Sequence, residues 1–392
     1  MAKLTIRDLG LKDKRVLVRV DFNVPQDEHL NITNDARISA SLPTIKYILE
    51  KGAKQIVLMS HLGRPKGKVE EKYRLNSVAK RLEMLLGEPV KKLDDCIGDE
   101  VKNGVQAAGE RIILLENLRF HPEEEKNDPG FAGQLACMGE VFVNDAFGTA
   151  HRAHASTEGV THFLKSAAGF LLEKEIKYLG DVLANPEHPF VIILGGAKVS
   201  DKISMIDNLL PQCDCLLIGG GMAYTFLSAL GRKIGNSKLE KDKLGLAKEI
   251  LNKASQSGKD IILPVDHLIV DKIEPGIKGD LTEEIPDGKI AVDIGPKTAG
   301  LFKDKLKGAK TVVWNGPLGI FEIDACAEGT KQVAQFLSEL DATTIIGGGD
   351  TAAAIAKFGL EGKMAHISTG GGASLEFLEG KVLPGIAALT DK

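Results

Sequence analysis

Two stretches late in the chain repeat one device. In TTIIGGGDTAAA (343–354) and HISTGGGASLEF (366–377) a β-branched run ends in a triple glycine, and Asp or Ser then opens an Ala/Leu-rich helical pattern. Glycine lets the backbone approach an anion closely, and a helix N-terminus offers unpaired N–H groups and the positive end of its dipole. One such turn would simply end a strand in a parallel sheet. Two of them, about twenty residues apart, suit a polyphosphate. Gly348, Gly349, Asp350 and Thr351 make the first cradle and Gly371 lies in the second; Asp350, a carboxylate in a first helical turn, is placed to hold Mg²⁺ rather than an anion.

A second candidate chemistry is carried by arginine, the better bidentate partner for carboxylate and phosphate. Ten of the eleven arginines precede position 153, and only Arg232 follows. Their placement repeats. Apolar runs predict strands at Arg15–Asp21, Gln55–Met59, Arg111–Leu115 and Glu140–Asp145. The loops beyond carry Asp21 and Asn23 (DFN), His61 and Arg64 (SHLGRP), Arg119 (ENLRFHPEEEKND) and Arg152 (NDAFGTAHRAHAS). A helix expected over Asp35–Lys51 puts Arg37 in its first turn, where it opposes the dipole and so is wanted for a ligand. A doubly wound parallel sheet is the architecture that brings such strand ends together into one basic pocket. The acidic run Glu123–Glu125 reads as a solvated surface patch. His151, Arg152 and His154 resemble a metal cluster but fall short of a zinc ligand set.

The second half restarts the strand and helix alternation with backbone in place of arginine. Strand Phe190–Leu194 enters GGAKVSDKI, where Lys198 and Lys202, spaced i, i+4, should face one side of a helix entrance. Strand Cys215–Ile218 meets Gly219–Gly221, with Gly220 at its centre, and opens a helix over Met222–Leu230. Further strands are expected at Asp260–Leu263, Lys289–Asp293 and Thr311–Trp314. The last runs into VVWNGPLGIFE, where Asn315, the apolar ledge Pro317-Leu318 and the acceptor Glu322 offer a seat for adenine and ribose; Trp314 reads as core packing. No GxxxxGK[ST] occurs, so ATP would bind without a Walker loop.

A chain of 392 residues is too long for one ordinary core and fits two domains. The helical spacing of GFLLEKEIKYLGDVL (169–183), with no flexible linker beside it, runs the boundary through a helix. We expect an α/β protein: a domain over 1–170, an interdomain helix over 171–185 and a second domain over 186–383. No apolar run approaches the ~20 residues of a membrane span, and the first residues lack the apolar core of a signal peptide. The five cysteines are scattered without metal-ligand spacing, which fits reduced thiols and a cytoplasmic location. A net charge of −4 argues against nucleic acid as partner.

Taken together, VDFNVP, NDARISASLPTI, SHLGRP, ENLRFHPEEEKND, VNDAFGTAHRAHAS, LGGAKVSDKI, GGGMAYTFL, VDIGPKT, VWNGPLGIFE, GGGDTAAA and STGGGASLEFLEGKVLPG closely resemble the phosphoglycerate kinase family, in family order over almost the full length. The resemblance implies two doubly wound, Rossmann-like domains with the tail, about 384–392, packing back on the first. It implies phosphoryl transfer between 1,3-bisphosphoglycerate and ADP, giving 3-phosphoglycerate and ATP with Mg²⁺, by a monomer whose domains close. Carried over by motif, Asp21, Asn23, Arg37, His61, Arg64, Arg119 and Arg152 form the phosphoglycerate site, and Lys198, Lys202, Gly220, Asn315, Pro317, Glu322 and Gly348–Thr351 the nucleotide site. Arg37, Lys198, Lys202 and the helix N-terminus at Gly371 serve the moving phosphoryl group, and Asp350 the metal. The competing reading is a non-catalytic nucleotide-binding or scaffolding protein that kept the fold.

Overall fold

The protein is described by a computed structural model covering residues 3–274 and 276–392; Met1, Ala2 and Pro275, which fall inside the two expected domains, lie outside the described residues. The chain forms two compact units. One comprises residues up to Lys177 together with Val382–Lys392, the other Tyr178–Lys381, so the division falls within the helix Phe170–Ala184.

Strand runs such as QIVLM, FVIIL and TVVWN are buried along their whole length, and RVLVR is buried at every residue after Arg15, instead of alternating, as strands covered on both faces must be. In the first unit β1 (Arg15–Arg19), β2 (Gln55–Met59), β3 (Val90–Lys92), β4 (Ile112–Leu114), β5 (Val141–Asn144) and β6 (Ser166–Ala168) make one parallel sheet in the order β3-β4-β2-β1-β5-β6. Successive side chains of β1 serve opposite layers. Val16 and Val18 pack with Ile38, Ile45 and Ile48 of the helix Ala36–Glu50, whereas Leu17 packs with Val101, Val105 and Leu135 on the other face. The chain leaves β1 on one side for β2 and returns on the other as β5. That reversal puts the switch point, where ligands bind in such sheets, at the C-terminal end of β1.

The last eleven residues belong to this unit. Lys3 Nζ donates to the carbonyls of Ala387 and Leu389 at 2.6 and 2.8 Å, Gly385 N–H donates to Ala150 O at 2.9 Å, and Asn144 Nδ2 donates to Gly385 O at 3.1 Å. Leu383 and Leu389 are buried.

In the second unit β7 (Phe190–Leu194), β8 (Cys215–Ile218), β9 (Asp260–Ile262), β13 (Thr311–Asn315), β14 (Thr343–Gly347) and β15 (His366–Ile367) form a parallel sheet ordered β15-β14-β13-β7-β8-β9. Its core sets Ile193, Val312, Trp314 and Ile346 against Phe302, Val333 and Leu337. Reading this half as a single doubly wound sheet misses one feature. The run predicted at Lys289–Asp293 is β12 (Ile290–Ile294), which pairs antiparallel with β10 (His267–Val270); β10 in turn pairs with β11 (Asp280–Thr282), making a separate three-stranded sheet. Among the described residues no helix is long and apolar enough to cross a membrane.

Candidate active site

In the first unit the loops after β1, β2, β4 and β5 converge through hydrogen bonds. Asp21, two residues beyond β1, accepts from Arg37 Nη1 at 2.5 Å and from the Asn23 N–H at 3.2 Å. Asn23 Oδ1 accepts from the Gly63 N–H at 2.8 Å, and the Gly63 carbonyl accepts from Arg119 Nη1 at 2.9 Å. One chain of contacts thus spaces Arg37 and Arg119 through two loops. Gly148 closes it from the side of β5: a Cβ there would lie 2.5 Å from Asp21 Oδ2 and 3.7 Å from Arg37 Nη1.

His61 lies buried behind this surface. Arg19 Nη2 sits 3.1 Å from His61 Nδ1. A guanidinium can only donate, so Nδ1 accepts and the ring proton is on Nε2. Burial, then the positive charges of Arg19, Arg119 and Arg37, push the imidazole pKa well below its ordinary value. The ring is therefore a neutral, single N–H donor.

Arg19 is itself fully buried; it donates from Nε to Ser156 Oγ at 2.8 Å and from Nη1 to the Val20 carbonyl. Ser156 donates in turn to Glu124, from Oγ at 2.6 Å and from N at 2.9 Å. The acidic run 123–125 is thus solvated at Glu123 and Glu125 but not at its centre. Glu124 is fully buried, and burial raises its pKa against the opposing pull of Arg19, while Glu125 pairs with Arg119 Nε at 3.3 Å. The reason is local: Pro122 starts a four-residue helix, Pro122–Glu125, which turns the middle glutamate inward. His154 is pushed down to about 3 by burial and by Arg119 and Arg19. Arg152 is half-buried beside His151, with Nε 3.1 Å from His151 Nε2. Arg64 is exposed and has no hydrogen-bond or ion-pair partner among the described residues.

In the second unit three glycine loops interlock by backbone alone. Gly196 N–H donates to Pro317 O at 2.9 Å, Gly220 N–H to Leu318 O at 3.0 Å, and Met222 N–H to Gly196 O at 3.0 Å. Gly220 has a φ of +63°, and a Cβ on it would lie 2.6 Å from the Gly196 nitrogen. Only glycine permits that approach. These loops floor a cleft of about 450 Å³ whose walls are Tyr224, Asn236, Ile290–Val292 and Pro317–Ile320, with Lys238, Glu322 and Asp350 around it. An apolar slot with a few polar groups is the usual form of a cofactor or nucleotide seat.

At its polar end Lys202 donates to Asn315 Oδ1. Burial lowers the ammonium's pKa, countered by Asp201, Asp350 and Glu379. Gly347 and Gly348 lie over the Asn315 amide, where a Cβ on either would come within 3.1 Å of Nδ2. Lys198 and Lys202 do not share a helix face as their spacing predicted. The helix begins at Ile203 with Lys202 as its N-cap, and Lys198 stands in the turn before it, exposed and without a hydrogen-bond or ion-pair partner among the described residues. Thr351 is buried, and its Oγ1 accepts from the Gly316 N–H at 2.7 Å, bracing one glycine loop against another. Gly348 caps the helix Gly349–Lys357, and Gly371, at φ +53°, caps Gly372–Leu378. Asp350 is exposed in the first turn of its helix, with neither a hydrogen bond nor an ion pair among the described residues. A lone, accessible carboxylate beside a phosphate cradle fits Mg²⁺, which is commonly held by one or two carboxylates together with substrate phosphates.

A family model described as phosphoglycerate kinase matches residues 6–381. The chain belongs to the phosphoglycerate kinase family. It is 58% identical over 396 residues to the phosphoglycerate kinase of Moorella thermoacetica and 54% identical over 397 residues to that of Pseudothermotoga lettingae, covering all of both chains in each case. The solved phosphoglycerate kinase of Coxiella burnetii superposes with a TM-score of 0.89 at 41% identity, and that of Pyrococcus horikoshii OT3 with 0.85 at 33%, each over 98% of both chains. Phosphoglycerate kinases are phosphotransferases, and this chain is an enzyme of that class with an α/β fold built on two six-stranded parallel sheets.

Sequence reasoning passed over several residues that build the two clefts. Arg19 reads as a strand residue, yet an arginine inside a continuous apolar run is itself the signal that a buried partner exists. Tyr224 lies in the GGGMAYTFL stretch but was not singled out, and Asn236 and Lys238 carry no motif at all; they reach the cleft because the helix Ala223–Ala229 and the following loop pack against β10 and β12.

Proposed function

We propose that the chain transfers a phosphoryl group between 1,3-bisphosphoglycerate and ADP, giving 3-phosphoglycerate and ATP, with the first unit holding the phosphoglycerate and the second the nucleotide. The observation that carries this division is the contrast between two strand-end clefts. One is assembled from Arg37, His61 and Arg119. The other is floored by glycine backbone and apolar walls.

In the ATP-consuming direction the nucleophile is the substrate's own carboxylate, ionised near neutrality, so no general base is required. The site agrees with that. His61 is neutral, with Nδ1 engaged by Arg19, and so serves as a donor to anionic oxygen instead of a proton acceptor. Catalysis then rests on alignment and on offsetting charge. Arg37 keeps N–H groups beyond the one bound to Asp21, Lys198 is free to reach a transferring group, and Lys202 is held ready by Asn315. The helix N-termini after Gly348 and Gly371 face charge with backbone N–H groups. Asp350 would hold Mg²⁺, which would supply positive charge to offset that of the phosphates. Transfer also requires that water be kept from the phosphoryl group. Five free thiols suit a reducing compartment, the cytoplasm.

A coupled assay of ATP-dependent 1,3-bisphosphoglycerate formation tests the reading. Arg37→Ala and Lys198→Ala should each lower kcat at least ~10²-fold, the scale of losing one transition-state donor. Near-normal kcat in both would sink the assignment, and an inactive, well-folded wild type would favour a non-catalytic binding module.

A further inference from the structure

We propose that Asp95, Cys96 and His121 form a binding site for a thiophilic divalent cation of the zinc class on the first unit, apart from the phosphoryl-transfer machinery. The cysteine lies between β3 and the helix Asp99–Ala107, and the histidine follows the turn Leu118–Phe120. The thiol sulfur, one carboxylate oxygen and one ring nitrogen all lie within 4.8 Å of one another. Asp95 Oδ1 and His121 Nε2 are already 2.6 Å apart. Tetrahedral zinc, with bonds of roughly 2.0–2.3 Å, places its ligand atoms roughly 3.2–3.7 Å from each other. A modest rotation of the cysteine and aspartate side chains closes the difference.

The surroundings favour a cation. Cys96 is fully buried in a cluster with Val101, Val105, Leu118 and Phe131, whereas the Asp95 and His121 side chains are 51% and 26% exposed. The three groups therefore run from core to solvent, and a fourth position opens outward for water. His121 leans on Phe131 with ring centroids 5.4 Å apart, which fixes the imidazole plane. Asp94, Asp95, Asp99 and Glu100 line a depression of about 530 Å³ beside the cysteine, a negative surface that raises the local concentration of cations even with Lys92 paired to Asp94 at 3.0 Å.

Binding would displace the Cys96 thiol proton to solvent and exchange the Asp95–His121 hydrogen bond for two bonds to metal, with no change of oxidation state. A dication with one thiolate, one carboxylate and a neutral imidazole sums to zero charge, so no uncompensated charge enters the interior. Sulfur and imidazole select a soft or borderline ion, whereas Mg²⁺ prefers oxygen ligands. The bound ion would tie the Asp95–Cys96 loop to the turn that carries Arg119.

The test uses the full chain, reduced and metal-stripped, with the exposed Cys137 changed to Ser so that no exposed thiol competes with Cys96. Titration with Co²⁺ should give a thiolate-to-cobalt charge-transfer band saturating at one equivalent, reversed by Zn²⁺ but not by a tenfold excess of Mg²⁺. Adding Cys96→Ser should abolish the band, and adding His121→Ala should weaken Co²⁺ binding at least ~10-fold, since each removes one ligand. The proposal is overturned if no charge-transfer band forms in the Cys137→Ser protein, or if the band survives Cys96→Ser. Should Cys96→Ser fail to fold, unchanged Co²⁺ affinity in His121→Ala, at a partly exposed position, overturns it equally.

Discussion

Gly148→Ala is the smallest change that tests how the first unit spaces its arginines. Gly148 does not occupy the left-handed region, so alanine meets no backbone strain there and the added methyl acts only through space. A Cβ at this position would lie 2.5 Å from Asp21 Oδ2, about 0.8 Å inside ordinary contact, and the buried carboxylate must give way. Its move loosens the 2.5 Å bond to Arg37. Losing a charge-assisted hydrogen bond costs about 1.5–3 kcal/mol, and a 1 Å misplacement of a catalytic group about 10²-fold, so kcat/KM for 3-phosphoglycerate should fall between ~10- and ~10²-fold. Steady-state kinetics with each substrate varied in turn make the measurement, with far-UV circular dichroism as the check on folding. The KM for ATP should stay within about twofold, because the cleft proposed for the nucleotide is lined by second-unit residues alone. A folded variant with kcat/KM for 3-phosphoglycerate within twofold of wild type would refute the view that Asp21 spaces Arg37; equal losses for both substrates would refute the division of labour.

Two further outcomes follow from buried polar groups. Burial raises Asp145 from 3.8 to about 7, while its carboxylate caps the helix Phe170–Ala184 by accepting from Leu171 N at 2.8 Å. The folded state therefore binds a proton below about pH 7 that the unfolded state takes up only near 3.8, so this group destabilises the fold at high pH and does so less as pH falls. Relative to Asp145→Asn, which keeps the accepting oxygen, the wild type should gain about 3 kcal/mol between pH 8 and 5 in denaturant unfolding, from about two of those pKa units at 1.36 kcal/mol each. The depressed histidines, which pull the other way below 6.5, are common to both proteins and cancel in the difference; parallel pH profiles would contradict the assignment. Thr351→Val keeps the shape but leaves the Gly316 N–H buried without its 2.7 Å acceptor, at a cost of about 1–3 kcal/mol. Trp314, whose Nε1 donates to Gly316 O at 2.8 Å, reports it: its fluorescence-monitored unfolding midpoint should drop and the KM for ATP should rise, and an unchanged midpoint would show the hydroxyl to be idle.

The parallel strands were legible because burial on both faces forces continuous apolar runs, and the loops carrying Asp21, His61, Arg119 and Arg152 were legible because they follow those runs directly. What stayed hidden depends on partners distant in sequence. Glu124 looks like its neighbours until the inward turn after Pro122 gives it Ser156 and Arg19. The antiparallel sheet escaped because β10 and β11 are only four and three residues long and β11 is largely exposed, so neither shows a period. Lys198 and Lys202 were wrongly expected on one face of a helix entrance because spacing alone cannot say whether a turn or a helix lies between them. Cys96 and His121 stand twenty-five positions apart in sequence, and no spacing rule joins them.

The return of residues 382–392 to the first unit has a consequence for how the protein is made. Gly385 donates to the carbonyl of Ala150 and accepts from Asn144, so it braces the loop from which His151 and Arg152 project. Synthesis runs from the N-terminus, and every residue of the second unit leaves the ribosome before residues 382–392. The unit begun first is thus the one finished last. A nascent chain can complete its second-unit cleft while its arginine pocket still lacks a brace, and loss of residues 382–392 should be felt at the proposed phosphoglycerate site, over two hundred positions upstream.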